Sequence, residues 1–287
     1  MKFPWEKYKE IPTERRNTLQ IFITTYCNLK CNGCFARKVM GDEKRHMTIG
    51  EYERAVLEFV EAGGKQINLL GGEPLLHPQL LKFLSINAHY GLKTTIYTNG
   101  YYLNRYTLEQ LEGAKLRVSI YSYDGGYKSI MNIKAEDNLP PFDANVMISS
   151  KTTLKELHLM SCRAEYQLGC KVFFISSLRE LDNPRKEFFD DTEMTMPVLE
   201  YKELVHKFLD EYEGQMDIHI SKRGVFESTK TVADNKCRFA NLFIGGKIIQ
   251  CPYNVVNLRF QEHYMFDTHT CEQNSSCLMS KIILRRI

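Results

Sequence analysis

Between residues 19 and 177 the chain alternates two rhythms of hydrophobic and polar positions. Short β-branched or aromatic runs at residues 20–26, 66–70, 94–97, 116–121, 144–148 and 171–175 predict strands. Stretches of helical period separate most of them, at residues 48–62, 78–89, 107–111, 153–168 and 201–212. The first helix opens with Thr48 three residues ahead of Glu51, a capping box that satisfies otherwise orphaned N–H groups. Its apolar residues Tyr52, Ala55, Val56, Phe59 and Val60 fall on one face, and Gly63-Gly64 stops it. Between residues 116 and 144 the pattern offers only a weak helix, at 128–133.

Six strand–helix units in succession predict an α/β fold with a parallel sheet and right-handed crossovers. Six units fall short of an ordinary eight-stranded barrel. Two architectures remain: an open doubly wound sheet, or a partial (β/α)6 barrel of the TIM type with an open side. After residue 212 the rhythm changes. Residues 216–221 suit a further strand, 242–251 read as a hairpin turning at Gly245-Gly246, and 263–277 are polar without period. A boundary near 225 divides the chain into residues 1–225 and a cysteine-bearing unit, 226–287.

Composition narrows the class. Of 287 residues, 43% are hydrophobic and 25% charged, enough to bury a core without disulfide staples. Nine cysteines are an odd number, which argues against a complete disulfide framework. Lys+Arg minus Asp+Glu is 38 − 35 = +3, which gives no case for a nucleic-acid or membrane surface. The segment Met1–Lys7 lacks the apolar stretch of a signal peptide, and no apolar run approaches ~20 residues. The expected compartment is the cytoplasm, where reduced cysteines in clusters more often bind metal.

The spacing of the cysteines carries the chemistry. Cys27, Cys31 and Cys34 lie within eight residues directly after the first predicted strand. Three thiolates on one loop suit an iron–sulfur cube with one iron left open, whereas structural zinc sites close with four ligands. The C-x-x-x-C-x-x-C loop resembles that of the radical S-adenosylmethionine (SAM) superfamily. Gly71-Gly72-Glu73-Pro74 after the second strand resembles that family's GGEP motif, which grips the methionine amino group of SAM. Thr98-Asn99-Gly100 and Ser122-Tyr123-Asp124-Gly125, after the next two strands, resemble its T-N-G and S-x-D-G segments. Four motifs thus fall at successive strand C-termini, where parallel barrels and sheets place their sites. Where the family usually has a bulky residue before the third cysteine this chain has Gly33, with Phe35 following as the candidate adenine contact. The resemblance covers roughly residues 19–180. It implies a cluster on Cys27, Cys31 and Cys34, with SAM held by Phe35, Gly71, Gly72, Glu73, Pro74, Asn99, Ser122 and Asp124. It also implies a flavodoxin- or ferredoxin-like electron donor.

Cys237, Cys251, Cys271 and Cys277 form a second group. Cys237 and Cys251 flank the hairpin, and Gly246-x4-Cys251 resembles the hairpin of SPASM and Twitch domains. Four cysteines suit Twitch, the shortened version with one auxiliary 4Fe–4S cluster; the same four would accept zinc. Cys162 and Cys170 are left over, either as buried small hydrophobes or as hydrogen-atom donors of the kind radical epimerases use.

The resemblance implies one-electron cleavage of SAM to a 5′-deoxyadenosyl radical that abstracts a substrate hydrogen atom, with an auxiliary cluster taking the electron the substrate radical gives up. Arg37, His77, Tyr97, Tyr121, Lys151, Arg179 and Tyr253 are candidate substrate contacts near strand ends. Few residues precede the first strand near residue 19, which leaves no room for a leader-peptide domain. The expectation is therefore an oxidoreductase of a small molecule, resembling the radical aminocyclitol dehydrogenases. The alternatives are a peptide maturase forming thioether or carbon–carbon crosslinks, a radical epimerase, and a non-catalytic zinc protein.

Overall fold

Local signals and long-range pairing act together in the computed structural model, which describes residues 5–11, 17–31, 34, 43–120, 141–177, 196–221, 236–246, 248–249, 269–270 and 281–287. In chain order the elements are β1 (Tyr8–Ile11), β2 (Asn17–Phe22), α1 (Ile49–Glu61), β3 (Gln66–Leu70), α2 (Leu80–His89), β4 (Lys93–Thr98), β5 (Ala114–Ile120) and β6 (Phe142–Ile148). There follow α3 (Leu154–Cys162), β7 (Val172–Ser177), α4 (Val198–Glu211), β8 (Asp217–Ser221), β9 (Lys236–Leu242), β10 (Ile248–Ile249), β11 (His269–Thr270) and β12 (Lys281–Arg286).

The capping box at Thr48 forms as expected, with the Thr48 side chain accepting from Glu51 N and Glu51 reaching back to Thr48 N at 2.8 Å. Two predicted helices are shorter or altered. Residues 107–111 yield one 3₁₀ turn, Glu109–Leu111, and residues 153–168 divide into α3 and a π-helical turn, Arg163–Gln167. The weak helix at 128–133 lies outside the described residues.

β2 through β8 are sheet neighbours in chain order and all run parallel. Because the order never reverses, right-handed crossovers bring every connecting helix to the same face. This is barrel-type winding, not the doubly wound alternative. The apolar core lies on that face, where Leu19, Ile67, Ile96, Val118, Ala144 and Phe173 meet Tyr52, Phe83, Leu157 and Phe208 of the helices. Alternate residues take the other face, and they include buried polar side chains: Asn68, Thr95, Arg117, Asp143 and His219.

The sheet extends beyond the six units: β8, the further strand expected at residues 216–221, is a seventh parallel strand, and β9 pairs parallel with β2 on the opposite edge, from Asn17↔Arg238 to Ile21↔Leu242. The sheet therefore includes strands from both sides of residue 225. β10 pairs antiparallel with β9 through the expected turn, where Gly245 and Gly246 take φ of 86° and 80°. Neither β1 nor β12 had been expected. β12 pairs antiparallel with β8 and β1 with β12, and Tyr8 Oη donates to the Leu209 carbonyl at 2.6 Å, so the two chain ends cover one sheet edge.

Candidate active site

The C-terminal ends of β2, β3 and β4 are laced together by backbone. Beyond β2 the chain continues extended, and Ile23 N donates to the Leu70 carbonyl at 2.9 Å. Gly72 N then donates to Thr24 O and Glu73 N to Tyr26 O, both at 2.7 Å. These bonds press the Gly71-Gly72 segment onto the start of the cysteine loop. A Cβ on Gly72 would collide with the Tyr26 carbonyl and lie 2.9 Å from Cys27 Cβ. Gly71 has φ 154°, and a Cβ there would lie 2.5 Å from Thr24 O. Both glycines serve a close approach of two backbones, which only a residue without Cβ permits.

Glu73 is 1% exposed and joins the third strand end. Its Oε1 accepts from Thr98 Oγ1 at 2.6 Å and Leu75 N at 3.0 Å, and its Oε2 accepts from Asn99 N at 2.8 Å. Burial raises the carboxyl from 4.5 to about 6, opposed by these three donors. Asn99 extends the lacing, because its Nδ2 donates to Asn28 Oδ1 inside the cysteine loop at 3.0 Å. Pro74 is buried at the first position of a 3₁₀ turn. The Glu73 carboxylate thus ties its own turn to the end of β4 with most of its acceptor capacity, leaving one lone pair of Oε2 for a further donor.

The cysteines leave this laced platform. Cys27 reaches solvent, while Cys31 and Cys34 are partly buried, and none forms a disulfide. The protein packed around Cys27 raises its thiol pKa; the Leu29 N–H donating to its Sγ at 3.4 Å opposes this, and negative charge on Glu73, Cys31 and Cys34 adds to it. The three thiols therefore share one electrostatic neighbourhood. Three soft thiolates neighbouring on one loop fit the ligands of an iron–sulfur cube, in which each thiolate takes a separate iron.

The remaining expected site residues divide. Tyr97 is half-buried on β4, where its Oη accepts from Arg117 Nη1 at 3.2 Å. Lys151 is exposed just after β6, at the strand end where a substrate contact was expected. His77 is 2% exposed, with Nε2 donating to the Met47 carbonyl at 3.0 Å and Nδ1 accepting from Gln79 N. Burial pushes it down to about 4, so the ring is neutral and both nitrogens are engaged within the fold. Cys162 is exposed at the end of α3, in the helical layer. Cys170 is buried just before β7, at the opposite strand end from the cysteine loop, and burial pushes its thiol up to about 12. Phe35, Arg37, Tyr121, Ser122, Asp124, Arg179, Cys251, Tyr253, Cys271 and Cys277 lie outside the described residues; Cys237 lies on β9.

Several residues that support the loop carried no recognisable motif. Residues 43–47 return antiparallel to its base: Thr24 bridges His46, Thr25 N donates to Arg45 O at 3.0 Å, and Thr25 Oγ1 donates to Glu43 O at 2.7 Å. The Tyr26 and His46 rings stack at 4.5 Å. Thr98 was read only as part of T-N-G; that Glu73 needs a hydroxyl donor follows from the rule that a buried carboxylate must be hydrogen-bonded.

Comparison with known proteins agrees with this geometry. Residues 21–137 match the sequence model of the Radical SAM superfamily. The GTP 3′,8-cyclase of Staphylococcus carnosus is 30% identical over 150 residues, 47% of this chain and 44% of that protein. The chain thus spans less than half the length of this curated relative. In fold it is similar to Streptococcus suis SuiB bound to S-adenosylmethionine, with TM-score 0.66 and 18% identity over 86% of this chain and 63% of that one. SuiB bound to its precursor peptide SuiA superposes with TM-score 0.65 and 16% identity over 88% of this chain and 64% of that one. The matched segment, residues 21–137, takes in the three-cysteine loop and the Glu73 platform that holds it, and it is in this part that the chain is similar to the radical SAM superfamily.

Proposed function

We propose that the chain reductively cleaves SAM at the Cys27, Cys31 and Cys34 loop, abstracts a hydrogen atom from a small-molecule substrate, and oxidises the resulting radical through an auxiliary cluster held by residues 226–287. The observation that carries this reading is the Glu73 lacing, which fixes the thiol loop against two neighbouring strand ends. When bound, cluster and SAM supply a carbon radical able to attack an unactivated C–H, and an auxiliary cluster supplies an acceptor for the substrate's second electron.

The chain's own residues hold and orient. The Gly71-Gly72 backbone lies against Tyr26 and Cys27, so a ligand bridging the loop and the GGEP segment meets main chain on one side. The open lone pair of Glu73 Oε2 suits an ammonium donor. Asn99, tied to Asn28, sets the position of the third strand end relative to the thiols. Phe35, Ser122 and Asp124 remain proposed SAM contacts on the strength of their motifs.

Support for the auxiliary site comes from register. β11 pairs with β9 so that Thr270, which precedes Cys271 in the chain, stands opposite Lys236, which precedes Cys237. Cys237, Cys251, Cys271 and Cys277 are the proposed ligands, in a Twitch-type arrangement. A peptide substrate is the second reading, favoured by the similarity of fold to a SuiB structure that holds a precursor peptide.

Iron and sulfide analysis of anaerobically reconstituted protein tests both clusters: about eight irons per chain are expected, and about four would remove the auxiliary cluster. Reductive formation of 5′-deoxyadenosine from SAM is expected in the native chain and absent after Cys31→Ala. Cleavage that survives Cys31→Ala, or zinc in place of iron, overturns the assignment.

A further inference from the structure

The sheet face opposite the described helices carries a charge arrangement that the cluster site does not use. Arg117, in the middle of β5, is 5% exposed, and its register partners are Tyr97 on β4 and Asp143 on β6. Its Nη1 donates to Tyr97 Oη and its Nη2 to Asp143 Oδ2, both at 3.2 Å. The guanidinium lies 5.5 Å from the Tyr97 ring centroid and 5.3 Å from that of Phe174 on β7. Its Nε is buried and has no hydrogen-bond partner among the described residues.

A purely structural strap across the three strands would not need this residue. Lys115, one pleat away on the same face, already reaches Asp143 Oδ2 at 2.8 Å. Two cations therefore meet one carboxylate: Lys115 is 53% exposed and keeps water for its charge, whereas Arg117, 6% exposed, pairs with Asp143 and leaves its Nε–H without a partner among the described residues. A buried donor left unpaired carries the cost of its desolvation. That cost vanishes when an oxyanion occupies the free Nε–H edge, since a planar guanidinium presents two parallel N–H groups to a carboxylate or phosphate. The aromatic rings of Tyr97 and Phe174 hold the plane in place.

We propose that Arg117 anchors an oxyanion of the substrate, a carboxylate or a phosphoryl group, on the sheet face opposite the described helices. The proposal rests on the radical SAM reading above and takes this face as the inside of the partial barrel, where the substrate would sit. Asp143 and Tyr97 are positioning residues, and Lys115 keeps Asp143 neutralised whether or not the ligand is present.

Calorimetric titration of the full-length, cluster-reconstituted protein with inorganic phosphate, and separately with acetate, tests this. Native protein is expected to bind at millimolar concentration, with affinity reduced about tenfold in both Arg117→Gln and Arg117→Lys. The lysine variant is decisive, because it retains the charge but lacks the Nε–H and the planar fork. Lys65→Gln, an exposed charge elsewhere, should bind as native. Urea midpoints check that the variants are folded, as expected where Lys115 still pairs with Asp143. Binding of phosphate alone indicates a phosphorylated substrate, and binding of acetate as well a carboxylate. No binding by native protein, or equal binding by Arg117→Lys, overturns the proposal. Binding is read without turnover, so native protein that binds phosphate but cleaves no SAM refutes the radical reading alone. Native protein that cleaves SAM but binds neither anion refutes the anchor alone.

Discussion

Replacing Gly72 by alanine adds one methyl group where two backbones meet. Its Cβ would overlap the carbonyl carbon and oxygen of Tyr26 and crowd Cys27 Cβ at 2.9 Å. Main-chain atoms cannot rotate away as a flexible side chain can, so the strands must part. Parting them lengthens two hydrogen bonds, Gly72 N to Thr24 O and Glu73 N to Tyr26 O, both at 2.7 Å. Overpacking costs about 1–3 kcal/mol and each weakened backbone bond about 1 kcal/mol, for a destabilisation of about 3–5 kcal/mol. Gly50→Ala is the matched control. Gly50 lies in the first turn of α1 with nothing within 4 Å of its added Cβ, and alanine there should stabilise by about 0.5 kcal/mol. Equilibrium urea unfolding measures both changes, and iron bound after reconstitution reports the cysteine loop. The same methyl group thus has opposite effects at two positions. If Gly72→Ala unfolds within about 0.5 kcal/mol of native and keeps its iron, the close-approach argument fails.

Glu73→Gln should change the pH dependence of stability. The Glu73 carboxyl is raised from 4.5 to about 6, so the folded chain holds its proton more tightly than the unfolded one. That contribution is full below 4.5 and is lost as pH rises through about 6, a swing of about 2 kcal/mol that glutamine cannot show. Urea unfolding of both proteins on either side of that window checks it, and a pH-independent difference between them refutes it. Leu284→Ala, at a fully buried position on β12, should cost about 2–4 kcal/mol by thermal or urea unfolding, because that strand covers the edge of β8; a loss below about 1 kcal/mol would show the edge to be dispensable.

Much of the site was legible before any coordinates. Cys27, Cys31, Cys34 and Gly71 through Pro74 fall where strand ends were expected, because strand period and turn chemistry are short-range properties. The cap at Thr48 and the turn at Gly245-Gly246 were legible for the same reason. The burial of His77 was not legible, because its position after a strand end says nothing about the Met47 carbonyl, thirty residues away, that holds its ring. The dual role of Glu73 was also hidden. A motif supplies the carboxylate, but only the pairing of β3 with β4 brings Thr98 and Asn99 to it.

The sequence by itself determined the alternation of strands and helices, the three-thiol loop and the motif order that resembles the radical SAM superfamily's. Each is written in residues a few positions apart, where backbone geometry alone relates them. Tertiary structure decided the winding of the sheet in chain order, the attachment of β9 and β12 to its two edges, and the convergence of Lys115 and Arg117 on one carboxylate. These depend on register between strands distant in the chain. Register follows from the burial of whole faces, which local periodicity does not encode.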